Sequence, residues 1–273
     1  MSLPQRAYTT GYVPDVLGPD GTVEQNKDDR TLYLRKRFDK GWKKVNVYYG
    51  HPYVTTLVCD FAMPASAENP APIDERGWCV FEKYTSSIVK DNRCCLYLSL
   101  MPSDAADMDW RDLMDKCSKG ARLPPLAADK FEAMMREGMA GGKLKFTNGK
   151  DATEVCIPQY KEALLRLMGE AKQLGYVELG WGEAEGEQLA EALLYVQRCG
   201  VACGAELLDL YDNQLGSAGV RAIGAALQAG AMPMLKYILI HDNDADKDTE
   251  KWMKELCKAK GVCPGLSYAG WST

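Results

Sequence analysis

Apolar residues change their period several times along the chain, and each change marks an element. Between Asp28 and about Val45, Leu32, Leu34, Phe38 and Trp42 recur at helical spacing, with Arg35, Lys36, Arg37, Lys40, Lys43 and Lys44 on the other positions. That pattern predicts an amphipathic helix with a solvated basic face. Tyr53 to Phe61 (Y-V-T-T-L-V-C-D-F) is apolar and rich in β-branched residues between Pro52 and Pro64, as a buried strand requires. A Pro-rich loop then leads to a helix predicted from about Asp74 to Lys90, and Arg93 to Met101 gives a second buried strand. Strand, helix, strand with nearly continuous apolar strands predicts a parallel α/β unit. Residues 1–26, with Gly18-Pro19-Asp20-Gly21, read as irregular. Residues 102–150 are polar and loosely patterned apart from a helix around Ala127 to Arg136, and a longer helix is predicted from about Ala152 to Gln173.

The clearest regularity lies between Leu174 and Cys257. Leu235, Ile238, Ile240, Asn243 and Ala245 stand at relative positions one, four, six, nine and eleven, and Ala205, Leu208, Leu210, Asn213 and Leu215 fill the same slots. A weaker copy, Leu174, Val177 and Leu179, has Gly182 where the asparagine would stand. The spacings are thirty-one and thirty residues, from 182 to 213 to 243. Positions four and six of a short strand point the same way, into a core, because side chains alternate across a strand. An asparagine at the strand's end can satisfy backbone groups that would otherwise be buried unpaired. Each copy leads into a helix, from Glu185 to Arg198, from Gly216 to Leu227 and from Asp246 to Ala259; in the second, Val220, Ile223 and Leu227 form one stripe among Ala and Gly that permit close packing.

Residues 208–227, L-D-L-Y-D-N-Q-L-G-S-A-G-V-R-A-I-G-A-A-L, resemble the ribonuclease-inhibitor type of leucine-rich repeat, and the resemblance covers about a third of the chain. It implies a curved right-handed array with strands inside, helices outside, and a partner on the strand face. The outward strand positions on this register are Glu178 and Gly180, Asp209 and Tyr211, and Leu239 and His241, with Trp181, Asp212 and Asp242 at the strand ends. Carboxylates beside aromatic anchors suit a basic protein or peptide. The candidate partner-binding residues are therefore Glu178, Trp181, Asp209, Tyr211, Asp212, His241 and Asp242. An array this short needs its ends covered; the helix of residues 152–173 is the expected cap at one end, and the tail of residues 261–273 at the other.

A second resemblance lies in the front half. Asp74-Glu75-Arg76-Gly77-Trp78-Cys79-Val80-Phe81-Glu82 is similar to the Ser-x-Trp-Cys-x-x-Glu segment of TIR-type domains, with a strand before it and a helix and strand after. In enzymatic members the glutamate acts on the ribose of NAD during nicotinamide cleavage, and only Glu82 matches it here. Arg76 stands where the family has serine, and no matching strand or nucleotide-contacting loop precedes residue 30. The other reading of Glu82 is a helix-terminal carboxylate paired with Arg76 or Lys83 while Trp78 and Phe81 fill the core. Such Arg-Gly-Trp-x-x-Phe-Glu segments joined to ribonuclease-inhibitor-type repeats are similar to those of proteins from unicellular eukaryotes. Some relatives of the repeat class activate GTPases, but no arginine here is placed to argue for that role. Gly138-Met139-Ala140-Gly141-Gly142-Lys143 is not a phosphate loop: its first glycine is one place off, Leu144 stands where Ser or Thr would hold magnesium, and no strand precedes it.

Composition narrows the classes further. With 46% hydrophobic and 26% charged residues, a core can form without disulfides or metals. The net charge of -5 argues against general nucleic-acid binding. Residues 1–6 lack the apolar run of a secretory signal, and no uncharged apolar stretch is long enough to span a bilayer. Ten cysteines form no Cys-x-x-Cys pair and only His51 and His241 are histidines, so no metal site and no cofactor is expected. Together these place the protein in a reducing, cytoplasmic setting.

The sequence thus predicts an α/β chain: an irregular segment (1–26), a small partial TIR-like parallel α/β domain (27–150), and a capping helix with a short leucine-rich-repeat solenoid and tail (151–273). Its expected role is a scaffold for a protein or peptide. The alternative is a TIR-like NAD-hydrolysing signalling enzyme that uses Glu82, with the repeats as sensor.

Overall fold

The computed structural model describes residues 16–17, 23–24, 32–42, 44–64, 66, 70–118, 122–146 and 148–265. Most of the segment read as irregular, and the tail from residue 266, lie outside the described residues. The chain divides into two compact units between Val45 and Asn46. In the first, β1 (Val16–Leu17) and β2 (Val23–Glu24) pair antiparallel, and α1 (Leu32–Trp42) falls where helical spacing predicts it.

A backbone turn and a side-chain clamp shorten the two strands predicted in the front half. A short helix, α2 (Val45–Gly50), runs into a turn in which the Val54 amide donates to the His51 carbonyl, so β3 begins only at Thr56 and ends at Val58. Beyond it the Asp60 carboxylate accepts from the Ser99 amide and hydroxyl at 2.8 and 2.6 Å, which turns the chain away from extended pairing. The helix α3 (Gly77–Ser86) connects β3 to β4 (Cys95–Tyr97), and the strands pair parallel with Leu57 opposite Leu96. A parallel pair needs such a crossover. The helix α4 (Trp110–Ser118), which the polar patterning of this stretch did not reveal, packs against β4. Next come α5 (Ala128–Ala140) and a π-helical turn (Ala152–Cys156) that runs into α6 (Ile157–Glu170). The single helix predicted from 152 to 173 therefore begins as a π turn and stops at Glu170, because Ala171 is extended and the chain enters the next strand. Between α3, α5 and α6 lie Phe81, Phe131 and Tyr160, all without solvent exposure; the last two rings stack at 3.9 Å. Burial of each contributes on the order of 2 kcal/mol.

From residue 173 on, strand and helix alternate: β5 (Gln173–Gly175), α7 (Glu183–Arg198), β6 (Leu207–Asp209), α8 (Gly216–Gln228), β7 (Tyr237–Leu239), α9 (Lys247–Lys260) and β8 (Cys263–Pro264). The four strands form one parallel sheet in the order β5-β6-β7-β8. Leu174, Leu208 and Ile238 lie side by side in register, each without solvent exposure. This corrects the first copy by three residues. Leu174, not Val177, aligns with Leu208 and Ile238, so the spacings are thirty-four and thirty residues, from 174 to 208 to 238. Tyr176 and Leu210 then share the second inward position, both without solvent exposure, and Leu179 falls in the slot of Asn213.

Two asparagines close the strand ends. Asn213 donates to the carbonyls of Tyr176 (2.7 Å), Leu210 (3.0 Å) and Tyr211 (3.3 Å), and accepts from the amides of Leu179 and Trp181. Asn243 repeats this one strand on, donating to Leu210, Ile240 and His241 and accepting from Leu215. The carbonyl of Leu210 is thus held by both. In both cases the asparagine of one unit accepts from amides of the unit before it; the first unit has Leu179 in the asparagine slot. Behind the sheet, α7 and α8 approach so closely that a Cβ on Gly186 would lie 2.9 Å from the Cα of Gly219.

Arg122 ties the front half to the first strand of this sheet. Its guanidinium is buried, donates to the Ser87 carbonyl, Asn92 Oδ1 (2.9 Å) and the Gly175 carbonyl (2.8 Å), and lies 4.6 Å from the Tyr176 ring centre. The Tyr176 hydroxyl donates to Ile88 O at 2.6 Å, and Trp181 Nε1 to Arg122 O at 2.8 Å.

Candidate functional site

Residues that alternate with Leu174/Tyr176, Leu208/Leu210 and Ile238/Ile240 face away from the helices. On the observed register these make rows across the sheet: Gln173, Leu207 and Tyr237; Gly175, Asp209 and Leu239; then, past the strand ends, Val177, Tyr211 and His241. A fourth row follows, Glu178, Asp212 and Asp242, each with the backbone in the left-handed region at φ 54, 52 and 55°. Few residues other than glycine adopt that conformation, and Asp and Asn do so most readily. Cross-strand pairing continues into this row, since the Glu178 amide donates to Tyr211 O and the Asp212 amide to His241 O.

The acidic row surrounds an aromatic pair. Tyr211 and His241 lie with ring centres 4.6 Å apart, and Asp212 and Asp242 are exposed beside them. Burial, and then the carboxylates of Asp242, Asp212 and Glu178, push the Tyr211 phenol up. His241 Nδ1 is buried and meets no hydrogen-bond partner among the described residues. At the other end of the strands an exposed Glu206–Lys236 pair (2.8 Å) neutralises itself, so negative charge concentrates at the end that follows the strands.

The expected surface changes in two places. Trp181 is 3% exposed and belongs to the core: it takes the inward slot of Leu215, packs on Tyr176 at 4.9 Å and donates to Arg122 O. Asp209 faces outward but is 5% exposed, and its Oδ1 accepts from the Tyr211 amide at 3.1 Å. Burial pushes this carboxyl up, while the Tyr211 amide and His241 pull it back. Glu178, Tyr211, Asp212, His241 and Asp242 are brought together. Val177, Leu207, Leu239 and Tyr237 also belong to the outward rows; alternation around Leu208 and Ile238 identifies all but Val177, which the mistaken register of the first copy hid.

Glu82 sits apart, half-buried on α3, and takes the hydroxyl of Tyr49 from α2. Burial pushes its carboxyl up, and the Tyr49 hydrogen bond pulls it back. Burial and then the Glu82 charge raise the thiol of Cys79. The expected cation at Glu82 is engaged elsewhere in one case: Lys83 pairs with Asp74 at 2.6 Å. Phe81 fills the core as expected, whereas Trp78 is half-buried and donates to Asp151 at 3.0 Å.

Among the described residues no group of three or more His, Cys, Asp or Glu side chains could hold a metal ion, and no helix is long and apolar enough to cross a membrane. All ten cysteines are free thiols. The architecture defines a mixed α/β protein with parallel strands in two sheets. The chain matches no family model, no curated protein and no solved structure.

Proposed function

We propose that residues 173–265 form a short leucine-rich-repeat solenoid of the ribonuclease-inhibitor kind, and that its strand-end face binds a basic protein or peptide. The repeat reading is supported by in-register leucines and isoleucine, by strand–helix units at near-constant spacing, and by asparagine side chains that bond across successive units. One observation carries the binding reading: acidic residues in three successive units, Glu178, Asp212 and Asp242, stand in one row against the Tyr211–His241 pair. Adjacent strands lie about 4.8 Å apart, so the row gathers its charge within about 10 Å. A cluster of one sign beside aromatic surface steers and anchors an oppositely charged partner.

Binding of a Lys/Arg-rich peptide panel to the native chain, followed by fluorescence anisotropy at two salt concentrations, tests this reading. At least one peptide is expected to bind, more weakly as salt rises. A panel that binds no more than neutral controls contradicts it. Glu82 carries no part of this proposal, since its carboxyl is taken by Tyr49.

A further inference from the structure

We propose that the open edge of β3 is a self-association site, where a second copy of this chain adds its own β3 antiparallel about a two-fold axis at Leu57. Among the described residues β3 pairs with β4 alone, which leaves the other side of its backbone without a strand partner. Natural edges are usually blunted by charge, proline, bulges or a covering element. Here no charged residue occurs between Tyr53 and Cys59, and the next one, Asp60, is occupied by the Ser99 amide and hydroxyl.

Exposure along the segment alternates. Thr55, Leu57, Cys59 and Phe61 are exposed, Thr56 and Asp60 half-buried, and Val58 buried. Leu57 and Phe61 are 55% and 50% exposed, and Tyr53 is 88% exposed. Leu96, paired with Leu57 on the neighbouring strand, is by contrast 2% exposed, in the strand on which α4 packs. Apolar side chains gathered on an unpaired edge mark an interaction surface.

The pattern around Leu57 identifies the occupant. In an antiparallel pairing centred there, Leu57 meets Leu57, Thr56 meets Val58 and Thr55 meets Cys59. Tyr53 and Phe61, one aromatic on each side, stand four residues from the centre. The stretch Thr55–Cys59 carries no charge and has the same character in both directions, so it can pair with its own copy without opposing like charges. The resulting sheet has four strands, β4-β3 continued by β3-β4 of the second copy.

Sedimentation equilibrium of the full chain over a wide concentration range is expected to show a monomer–dimer equilibrium. Leu57→Lys puts two ammonium groups at the axis and is expected to weaken the dimer by roughly 30-fold or more, the scale of a central hot spot. Its circular dichroism is expected to match the native chain, and its thermal midpoint to match at concentrations where the native chain is monomeric. A second variant tests the register directly. The Thr55 side chain hydrogen-bonds the Cys94 thiol of its own chain, so the test is made in a Cys94→Ser background. There, under a mild chemical oxidant that accepts the two electrons and two protons released by a thiol pair, Thr55→Cys is expected to form an intermolecular disulfide with Cys59 of the second copy. The same substitution in a Cys59→Ser background is expected not to cross-link. A native chain monomeric at every concentration overturns the proposal, whether its β3 amides exchange freely or are protected by another part of the chain. So does a dimer indifferent to Leu57→Lys.

Discussion

At the scale of single residues, two asparagines hold the strand ends together, while of two aspartates Asp209 lies on β6 and Asp246 caps α9. Asn213 joins five backbone groups and Asn243 four. Removing a buried partner leaves desolvated donors and acceptors that cost about 1–3 kcal/mol each, less what water recovers. Asn213→Ala is therefore expected to lower unfolding stability by about 3 kcal/mol, and Asn243→Ala by less; urea denaturation checks both the size and the order. The aspartates respond to pH in opposite senses. Burial raises the Asp209 carboxyl in the folded state, so stability falls as pH rises through the ordinary carboxylate range toward that raised value. Asp209→Asn keeps an acceptor for the Tyr211 amide and is expected to melt above the native chain at pH 7; a lower midpoint contradicts this. For Asp246, the Ser217 hydroxyl and then the Thr249 amide hold the carboxyl down at about 2. Its stabilisation is present above the ordinary carboxylate range and is lost as pH falls toward about 2. The difference in melting between native and Asp246→Ala is expected to be clear at pH 7 and to vanish near pH 2.

Among elements, what the sequence revealed depended on whether a local pattern or a distant contact sets the structure. The helices α7, α8 and α9 were legible because each follows an apolar stripe, and β6 and β7 because Leu208/Leu210 and Ile238/Ile240 recur with an asparagine three residues later. The first copy misleads because Leu174, Val177 and Leu179 imitate the repeat, whereas the chain uses Leu174 and Tyr176 as the inward pair, with Leu179 in the asparagine slot. Trp181 shows the same limit. Beside Gly180 and Gly182 it looks like a surface aromatic, and only the contact with Arg122, nearly sixty residues earlier, makes it core. The helix α4 is short and charged between its apolar positions: Trp110, Leu113, Met114 and Cys117 stand at helical spacing, a signal that the surrounding polar stretch masks. Close helix packing was legible in the Ala and Gly content of α8. Gly186→Val forces branched atoms against the Gly219 backbone and is expected to cost about 1–3 kcal/mol, read by thermal unfolding. Arg122→Met removes the donors that serve Ser87, Asn92 and Gly175, and is expected to speed amide exchange around Gly175 more than in α9.

For the whole molecule, the front strand pair and the four-stranded sheet divide the work. The front half holds the first strand through Arg122, Tyr176 and Asn92, so the four-stranded sheet is fastened at its β5 edge by packed structure. On the repeat reading proposed above, that fastening meets the requirement that a terminal repeat bury its face against something. It leaves the strand-end row, with Asp212 and Asp242 in the solvent, as the most strongly charged part of the sheet. If this row recruits a basic partner, removing its charge without changing its shape weakens the complex. Asn tolerates the left-handed backbone that both positions adopt, so Asp212→Asn combined with Asp242→Asn removes two charges without refolding the strand ends. In an anisotropy titration with a Lys/Arg-rich peptide bound by the native chain, the double variant is expected to bind about tenfold or more weakly at low salt. Equal affinity of the two proteins, with matching circular dichroism, would contradict the account.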